Sequence, residues 1–382
     1  MKPRVIGIDA SRIAVPKVTG TERYAQCIVE HLLQIATPFR FRLFVRGPLE
    51  LSVPAERAEF RVIPFPRLWT HVRLAAELVR HPVDLLFVPA HVLPVWCPVP
   101  GVVTVHDLGY RYEPEAHPLL QRLYLEFGTL RSVRQARRVI AISQATARDL
   151  VRFYRVPPER IAVVPHGVDR QFSPRTAEEV ARVRERYGLH KPFLLHVGTL
   201  QPRKNLVRLI RAFERVAATD HELELILAGK RGWLAEPIET AIRSSPVRQR
   251  IRVLGHVVDS DLPALYSAAE LFVFPSLYEG FGLPVLEAMA CGIPVVTSRR
   301  GALAEIAGPA ITCDPLSVED IARAIAEARD PVHRPQLVRA GLEHAKQFTW
   351  ERSAHLTLDV LAEAIGTRHA DTVSSHTRRE DR

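Results

Sequence analysis

Short apolar segments with strand patterns alternate with helical patterns along most of the sequence, and this alternation limits the possible folds more than any other feature. In the first half, strand patterns occur at 5–9, 42–46, 61–65, 84–89, 102–106, 139–143 and 161–168, and helical patterns at 20–36, 68–80, 118–134 and 144–154. In the second half, strand patterns occur at 193–197, 223–228, 252–257, 271–274 and 295–298, and helical patterns at 205–218, 237–243, 261–268, 285–290, 318–329, 335–347 and 350–365. Strands that alternate with helices form parallel β-α-β units with right-handed crossovers. The pattern therefore predicts an α/β protein with parallel sheets.

A polar stretch at residues 169–192 separates the two halves and contains a charged helical segment at 177–187. A chain of 382 residues is also too long for one ordinary domain. We therefore predict two Rossmann-like domains, at 1–170 and 190–349, followed by a disordered polar tail at 367–382. Two such domains place a ligand in the cleft between them, at the carboxyl ends of the strands.

The most informative stretch of the sequence, residues 271–298, combines an apolar run, a glycine-containing loop, a short helical segment and a second apolar run. Pro284 suits the first turn of the helix, where a missing backbone N–H costs nothing. A strand–loop–helix unit directs free N–H groups and the positive end of the helix dipole towards the loop, so it favours a bound anion. Glu279 lies in this loop, and Glu287 lies about one turn into the helix.

Two carboxylates beside an anion site are unusual, because carboxylates repel phosphate and accept hydrogen bonds. A sugar nucleotide supplies both partners, since its diphosphate suits the loop and its hydroxyls suit the acids. Glu279 and Glu287, separated by seven residues that include Gly-Phe-Gly-Leu-Pro, resemble the E-x7-E motif of retaining GT-B glycosyltransferases, family 4 (group 1) in particular. The resemblance covers about residues 4–366. It implies an N-terminal acceptor domain, a C-terminal nucleotide-sugar domain, and a last helix at 350–366 that returns to the N-terminal domain.

A second motif, His-Val-Gly-Thr-Leu-Gln-Pro-Arg-Lys-Asn at 196–205, follows the first strand of the second half. Gly198 permits close approach of a ligand to the backbone, and Arg203 and Lys204 lie where the next helix begins. Cations oppose the helix dipole at that end, so their presence indicates a bound anion. Negative charge builds on a diphosphate as it leaves, and preorganised cations stabilise that charge most in the transition state. The segment resembles the family's G-x4-R-K-N element, whose two cations contact the phosphates.

The resemblance implies roles for further residues of the second half. Glu287 would accept hydrogen bonds from the ribose, and Glu279 from a hydroxyl of the donor sugar. The backbone that would line this sugar belongs to Phe281, Gly282 and Leu283. Contacts to the nucleobase would fall near Val257 and Arg231.

In the first half, the resemblance places Gly20 near the diphosphate and the acceptor, and His106 near the donor sugar. His106 ends a strand pattern at the expected cleft. The loop before Gly20 departs from the family, since Val18-Thr-Gly-Thr21 stands where many members have two glycines.

No residue is suited to act as an enzyme nucleophile on the expected face, and the resemblance implies retention, with the leaving phosphate deprotonating the acceptor. Glu279 and Glu287 are then not the acid and nucleophile of a glycosidase, whose carboxylates flank one scissile bond. The family needs no D-x-D motif, so we expect no catalytic metal and no cofactor besides the nucleotide-sugar donor.

Composition predicts a globular cytoplasmic protein. The chain is 47% hydrophobic and 25% charged, as in ordinary soluble domains. No run of 18 apolar residues is present, which predicts no transmembrane helix, and residues 1–9 enter a strand pattern without resembling a signal peptide. The scattered cysteines form no C-x-x-C pair, so we interpret them as core thiols.

The net charge of +10 is concentrated in part between residues 118 and 160, where nine arginines face three acidic residues. The arginines are Arg122, Arg131, Arg134, Arg137, Arg138, Arg148, Arg152, Arg155 and Arg160. Such a stretch attracts phosphates of lipid head groups or of nucleic acid, although a solvated surface explains it equally well. Peripheral contact with the inner face of an anionic membrane is therefore an expectation.

The sequence thus predicts a retaining hexosyltransferase that uses a nucleotide-diphosphate sugar and acts on a glycan or lipid-linked saccharide in cell-surface polysaccharide synthesis. GDP-mannose is the favoured donor, because the opening G-I-D-x-x-R to G-x-x-R-Y resembles bacterial mannosyltransferases of polysaccharide assembly. UDP-glucose and UDP-N-acetylglucosamine are the alternatives. A basic nucleic-acid-binding protein and an inactive GT-B binding protein are alternatives of a different class.

Overall fold

A computed structural model describes residues 3–13, 20–47, 57–65, 68–90, 92–112 and 119–366. The tail predicted to be disordered, at 367–382, and most of the loop before Gly20 lie outside the described residues.

Strands and helices alternate throughout this part of the chain. Its strands are β1 Val5–Asp9, β2 Arg40–Val45, β3 Ala58–Val62, β4 Leu85–Val88, β5 Gly101–Val105, β6 Arg138–Ala141, β7 Ile161–Val163, β8 Phe193–Val197, β9 Glu224–Ala228, β10 Ile251–Gly255, β11 Leu271–Phe274, β12 Val295–Ser298 and β13 Ile311–Cys313. Its α-helices are α1 Gly20–Gln34, α2 Ala75–Arg80, α3 Gly109–Tyr112, α4 Leu119–Gln135, α5 Gln144–Tyr154, α6 Ala177–Tyr187, α7 Leu206–Ala217, α8 Glu236–Ser244, α9 Leu262–Ala268, α10 Leu283–Ala290, α11 Gly301–Ile306, α12 Val318–Arg329, α13 Arg334–Ala345 and α14 Trp350–Ile365. A π-helical segment, Trp69–Leu74, leads into α2.

The strands form two sheets in which every described pair is parallel. One sheet has the order β3-β2-β1-β4-β5-β6-β7 and the other β10-β9-β8-β11-β12-β13. Strands β4, β5, β11 and β12 are buried along their whole length, because helices cover both faces of each sheet. This architecture confirms the predicted α/β class with two Rossmann-like parallel sheets. The strand order reverses between β1 and β4 in one sheet and between β8 and β11 in the other, and ligands bind at such switch points.

Several predicted boundaries need correction. The strand predicted at 61–65 is β3, which starts three residues earlier, and the strand predicted at 161–168 ends at Val163. The chain then leaves the sheet, since the backbone N–H of Val168 donates to the carbonyl of Phe348 at 2.9 Å instead of to a strand. The sequence did not predict α3, α11 or β13, each of which has six residues or fewer.

Two helices connect the halves of the chain. Helix α6, in the polar stretch between the halves, packs against α9 and places Val183 in the core beside the second sheet. Helix α14 returns to the first sheet and packs against α1. There Trp350, Leu358 and Leu361 share a buried cluster with Ile6 and Tyr24. The chain therefore crosses between the two sheets twice.

The cysteines are free thiols, and Cys27, Cys291 and Cys313 are buried. Within the described ranges, no helix has both the length and the apolar character needed to cross a membrane.

Candidate active site

The loops that follow β8 and β11 meet at the switch point of the second sheet. Asn205 joins them, because its side-chain amide donates to the carbonyls of Pro275 at 3.0 Å and Pro315 at 2.6 Å. The backbone N–H of Leu277 also donates to the carbonyl of Arg203 at 2.9 Å. Asn205 adopts a left-handed conformation with φ of 61°, which an asparagine tolerates well, and it ends the short 3-10 turn Pro202–Lys204. This turn directs Arg203 and Lys204 towards the β11 loop.

Arg203, Lys204 and Glu279 form a compact ionic cluster between these loops. The Lys204 Nζ lies 2.7 Å from Glu279 Oε1 and 4.5 Å above the ring of Phe274. Arg203 binds the other carboxylate oxygen and donates to the carbonyl of Tyr278 at 2.8 Å. The side chains of Lys204 and Glu279 are each only 9% exposed, so charge-assisted contacts between them are strong. The structure thus brings together three residues that the sequence motifs assigned to the site.

Burial and mutual attraction shift the pKa values within this cluster. Burial alone acts to raise the pKa of Glu279, but the neighbouring Arg203 and Lys204 outweigh it and lower that pKa to about 2. Burial, helped by repulsion from Arg203, lowers the pKa of Lys204 to about 8 although Glu279 opposes the shift. At neutral pH these three side chains carry two positive charges and one negative charge, and the carboxylate of Asp107 also attracts Lys204.

Two glycines of the β11 loop are required by close contacts. A side chain at Gly280 would place its Cβ 2.1 Å from the carbonyl oxygen of His106, which belongs to the other sheet. Gly282 has φ of 110° and caps the start of α10, where a Cβ would lie 2.5 Å from Leu303. Gly198 in the β8 loop has φ of 153°, and a Cβ there would crowd Lys204. Gly280 thus lies at the interface of the two halves, Gly282 lies against α11 of its own half, and the side chain of Phe281 is buried.

Glu287 occupies a different environment from Glu279. It lies on α10, is partly buried, and accepts a hydrogen bond from the Tyr266 hydroxyl at 3.0 Å. Burial raises the pKa of Glu287 to about 7, and the more distant carboxylates of Asp259 and Asp169 add to this effect. Arg23 of α1 offsets it in part, and it binds Asp169 at 2.8 Å and Asp259 at 3.3 Å. Three carboxylates and one arginine therefore meet where the halves of the chain face each other.

The first sheet contributes aromatic and imidazole rings to the same region. His106 is buried, and its Nε2 lies 3.0 Å from the carbonyl of Pro89. Tyr24 contacts the edge of His106 and stacks on His166 at 4.8 Å between ring centroids. Neither ring nitrogen of His166 has a hydrogen-bond partner among the described residues, and burial lowers its pKa well below the ordinary value. His166 also contacts Phe281, so it lies directly at the interface.

A tyrosine next to Glu279 connects the two halves. The Tyr278 hydroxyl donates to Asp149 Oδ2 at 3.1 Å and accepts from the backbone N–H of Leu108 at 3.1 Å. Its ring stacks on that of Tyr112 at 4.4 Å. Because Tyr278 directly precedes Glu279, this interface contact also fixes the loop that carries the ionic cluster.

Three predicted site residues lie outside this group of side chains. Val257 is 4% exposed and packs in the hydrophobic core, so its side chain offers no surface to a nucleobase. Arg231 is exposed and binds Glu239 at 2.5 Å and Glu236 at 3.2 Å, although its backbone pairs with Leu200 beside the β8 loop. Gly20 begins α1, and a Cβ there would meet nothing within 4 Å, so this position does not require glycine for packing.

Sequence reasoning missed His196 and the interface role of Tyr278. His196 is fully buried beside Lys204, its Nδ1 lies 3.0 Å from the carbonyl of Val273, and its Nε2 has no partner in the described part of the chain. Burial and the charge of Lys204 lower its pKa to about 3, so it is neutral. The only sequence signal for His196 was its place as the first residue of the 196–205 motif, and the only one for Tyr278 was its position directly before Glu279.

Asp259-Ser-Asp261 has D-x-D spacing, which sequence reasoning overlooked. Both carboxylates already have protein partners: Asp259 binds Arg23, and Asp261 binds Arg186 at 2.7 Å and Tyr187 at 2.8 Å. In the described ranges, no group of three or more His, Cys, Asp and Glu residues could hold a metal ion.

Two parallel sheets that meet across an interface, with basic and acidic loops at a switch point, are typical of GT-B glycosyltransferases. Residues 18–172 match the family model described as Glycosyltransferase Family 4, and residues 179–339 match the one described as Glycosyl transferases group 1. The chain is 36% identical over 263 residues to O-antigen chain mannosyltransferase B of Escherichia coli, across 68% of this chain and 69% of that protein. It is 30% identical over 270 residues to the serotype-specific mannosyltransferase WbdA of Escherichia coli, across 68% of this chain but only 33% of that longer protein.

Solved structures agree with the fold. Sucrose-phosphate synthase from Thermosynechococcus elongatus superposes with a TM-score of 0.76 at 22% identity, over 95% of this chain and 99% of that one. Anabaena HepE in complex with UDP-glucose gives a TM-score of 0.73 at 20% identity, over 94% and 99% of the two chains. The chain belongs to the family 4 (group 1) glycosyltransferases and is a hexosyltransferase.

Proposed function

We propose that this glycosyltransferase moves a hexose, with retention of anomeric configuration, from a nucleoside-diphosphate sugar to a glycan or lipid-linked saccharide during cell-surface polysaccharide synthesis. The favoured donor is GDP-mannose, and the reaction needs no metal ion.

One observation carries the proposal: Lys204, which is buried, and Arg203, which is partly exposed, both bind the carboxylate of Glu279. Removing charges from water is costly unless they are compensated, and the lowered pKa of Lys204 reflects this cost. A diphosphate placed against this cluster would add negative charge beside the two cations. The charge on the diphosphate grows as the sugar departs, so the two cations stabilise the transition state more than the bound donor.

The proposed chemistry balances without a protein nucleophile. The anomeric carbon loses its bond to the diphosphate oxygen, and an acceptor hydroxyl forms a bond to the same carbon on the same face. The acceptor proton passes to the departing phosphate oxygen, so the products are the lengthened saccharide and a nucleoside diphosphate. Glu279 forms ion pairs with both cations, so its carboxylate can position their charges. The same ion pairs leave this carboxylate unsuited to attack the anomeric carbon.

Glu287 supports the nucleotide end of the proposed site. A carboxylate that accepts from two vicinal ribose hydroxyls must be ionised, and burial opposes ionisation here. The Tyr266 hydroxyl already stabilises the ionised form through one hydrogen bond, and ribose hydroxyls would add others. Donor binding and ionisation of Glu287 would therefore be coupled.

Mannose is favoured because the relatives described above are named mannosyltransferases. The fold alone is compatible with other donors, since HepE, with the same fold, was solved with UDP-glucose. UDP-glucose and UDP-N-acetylglucosamine are accordingly the alternatives to test.

A donor screen tests the proposal. Thermal shift and donor hydrolysis would be measured with GDP-mannose, UDP-glucose and UDP-N-acetylglucosamine, each with the wild type and with Lys204→Ala. We expect GDP-mannose to stabilise the wild type most and to be hydrolysed slowly, with hydrolysis strongly reduced in Lys204→Ala. A preference for a UDP-sugar would reject mannose as the donor. Binding without turnover, in the presence of acceptor extracts, would indicate an inactive binding protein.

A further inference from the structure

Helix α4 exposes an apolar stripe to solvent along its first half. Five large apolar residues on this helix are each more than half exposed, namely Leu119, Leu120, Leu123, Tyr124 and Phe127. They are spaced at helical intervals, so they form one continuous stripe. The opposite side of the helix packs on the domain through buried Thr129, Ser132 and Val133. The stripe is therefore a surface feature of a helix that is already anchored.

Neighbouring segments extend the stripe into a wider surface. The His71 ring lies 3.4 Å from the Tyr124 hydroxyl, so the π-helical segment is adjacent and adds exposed Leu68 and Val72. On the other side, Arg131 donates to the carbonyl of Val95 at 2.6 Å, which places the exposed Val95 and Trp96 beside α4. We define the α4 surface as residues Leu68, Val72, Val95, Trp96, Leu119, Leu120, Leu123, Tyr124 and Phe127.

Cations border this surface. Arg131 and Arg134 continue the stripe towards the end of α4 and are exposed, and Arg137 follows them. Arg122, Arg134 and Arg137 form no ion pair with any residue that the structure describes. The one carboxylate on α4, Glu126, is bound by Arg111. The α4 surface is therefore apolar at its centre and bordered by cations.

The structure also shows which of the nine arginines at 118–160 are already bound to other groups of the protein. Arg148 binds Glu305, Arg138 binds Glu363, and Arg160 donates to backbone carbonyls of residues 133, 134 and 136. These three side chains are therefore engaged in contacts within the protein. Arg134 and Arg137 on the border of α4 face solvent, as do Arg152 and Arg155 at the end of α5.

We propose that the α4 surface docks onto an anionic lipid bilayer, with its apolar residues inserted at the level of the head groups and its arginines on the lipid phosphates. An exposed apolar patch of this extent on a soluble chain marks an interaction site. Apolar side chains with adjacent arginines suit an anionic interface, and tryptophan is favoured at that depth. Charge complementarity thus selects a bilayer over an uncharged apolar partner.

Docking of the α4 surface onto a bilayer would bring the enzyme to a lipid-linked acceptor. This part of the inference rests on the proposed function, which supplies that acceptor. Helix α3 lies between β5 and α4 in sequence, and its Tyr112 stacks on Tyr278 of the ionic loop. The α4 surface therefore belongs to the half of the cleft assigned to the acceptor. A saccharide anchored in the bilayer would reach the cleft from the docked face.

The test is vesicle sedimentation with the full chain and vesicles of phosphatidylcholine with phosphatidylglycerol, compared with phosphatidylcholine alone. We expect binding to the anionic vesicles that weakens as salt rises. Leu120→Ser with Phe127→Ser should weaken it by about 100-fold or more, since each side chain contributes roughly tenfold on burial. Arg134→Glu should weaken it and reduce its salt dependence, because one of the border cations is reversed in charge. Val332→Ser, which changes an apolar residue that is 79% exposed in the other half, is the matched control and should leave binding unchanged.

Tryptophan fluorescence gives the depth of insertion. Trp69 and Trp350 are buried, whereas Trp96 and Trp233 are 60% and 50% exposed. In a Trp233→Phe background, brominated lipids should quench Trp96, and Trp96→Phe should abolish that quenching.

Several outcomes would overturn the proposal. They are no binding at low salt, binding that the Leu120 and Phe127 substitutions do not change, and absence of quenching. A dimer that these substitutions dissociate would assign the surface to a second copy of the chain instead. Donor hydrolysis is measured in parallel without lipid. If the wild type hydrolyses no donor, the proposed function is refuted. If the variants with weakened vesicle binding still hydrolyse the donor, their vesicle result concerns membrane docking alone.

Discussion

The two glutamates of the E-x7-E motif should change stability in opposite directions when each is replaced by glutamine. The folded pKa of Glu287 is raised from 4.5 to about 7, so the folded state binds more protons than the unfolded state between these values. The stability of the folded state therefore falls as pH rises through this window. The folded pKa of Glu279 is lowered from 4.5 to about 2, so its contribution is present above 4.5 and is lost only in acid.

The expected magnitudes follow from these shifts. One pKa unit corresponds to about 1.4 kcal/mol, so keeping Glu287 ionised above pH 7 costs about 3 kcal/mol at most. Glu287→Gln removes this cost and retains an acceptor for the Tyr266 hydroxyl. It should raise the free energy of unfolding by up to about 3 kcal/mol at pH 8.5 and by little near pH 5. Glu279→Gln should lower it by about 3 kcal/mol at pH 6, because Arg203 and Lys204 lose their shared carboxylate.

Thermal unfolding at several pH values measures both effects. For a domain of this size, 1 kcal/mol corresponds to about 2–4 °C, so Glu287→Gln should gain up to about 6–12 °C in Tm at pH 8.5. The same variant should bind the donor more weakly, which separates stability from function. A difference between Glu287→Gln and the wild type that does not vary with pH, or a loss of stability at pH 8.5, would refute the assigned environment of Glu287.

Further predictions concern the reaction. Arg203→Ala and Lys204→Ala should each slow transfer by about 10–100-fold while changing donor affinity less, measured as kcat and KM, because a charge-assisted contact in the transition state is worth about 1.5–3 kcal/mol; equal effects on kcat and affinity would contradict this role. Activity should survive EDTA, and loss that magnesium or manganese restores would show that a metal is needed. Tyr278→Phe should reduce kcat by about 5–10-fold through loss of the two hydrogen bonds that its hydroxyl makes across the interface, with an unchanged Tm for the second half; unchanged turnover would remove the interface role. Gly280→Ala should abolish most transfer, because its Cβ would collide with the carbonyl of His106, and wild-type kinetics would show that the halves need not approach so closely.

The sequence was sufficient for the fold class, and it named Arg203, Lys204 and Glu279 as site residues without indicating that they bind one another. Alternation of patterns identified the parallel sheets, and the helix-dipole argument selected Arg203 and Lys204 from many basic residues. It could not identify the partner of Tyr278, because Asp149 lies 129 residues away and neither local pattern indicates the contact. It also left the orientation of α4 open, since a helix with apolar residues on several sides does not reveal which of them face the core.

Short elements and nucleobase residues were harder to predict. Strand β13 has three residues, two of them only partly buried, so its pattern is weak. Val257 was assigned by resemblance to the family, but its apolar side chain packs in the core beside the second sheet. Position at the end of a strand places the backbone near a site, whereas the direction of a side chain depends on packing that the sequence does not display.

The return of α14 to the first sheet reverses the usual order of folding during synthesis. Domains generally fold in the order in which they leave the ribosome. Here the buried cluster around Ile6 and Tyr24 includes Trp350, Leu358 and Leu361, so it cannot close until residue 365 has been translated. By then every strand of the second sheet has already emerged, and that half can fold first. The first 163 residues therefore keep part of their apolar surface uncovered until the chain is almost complete.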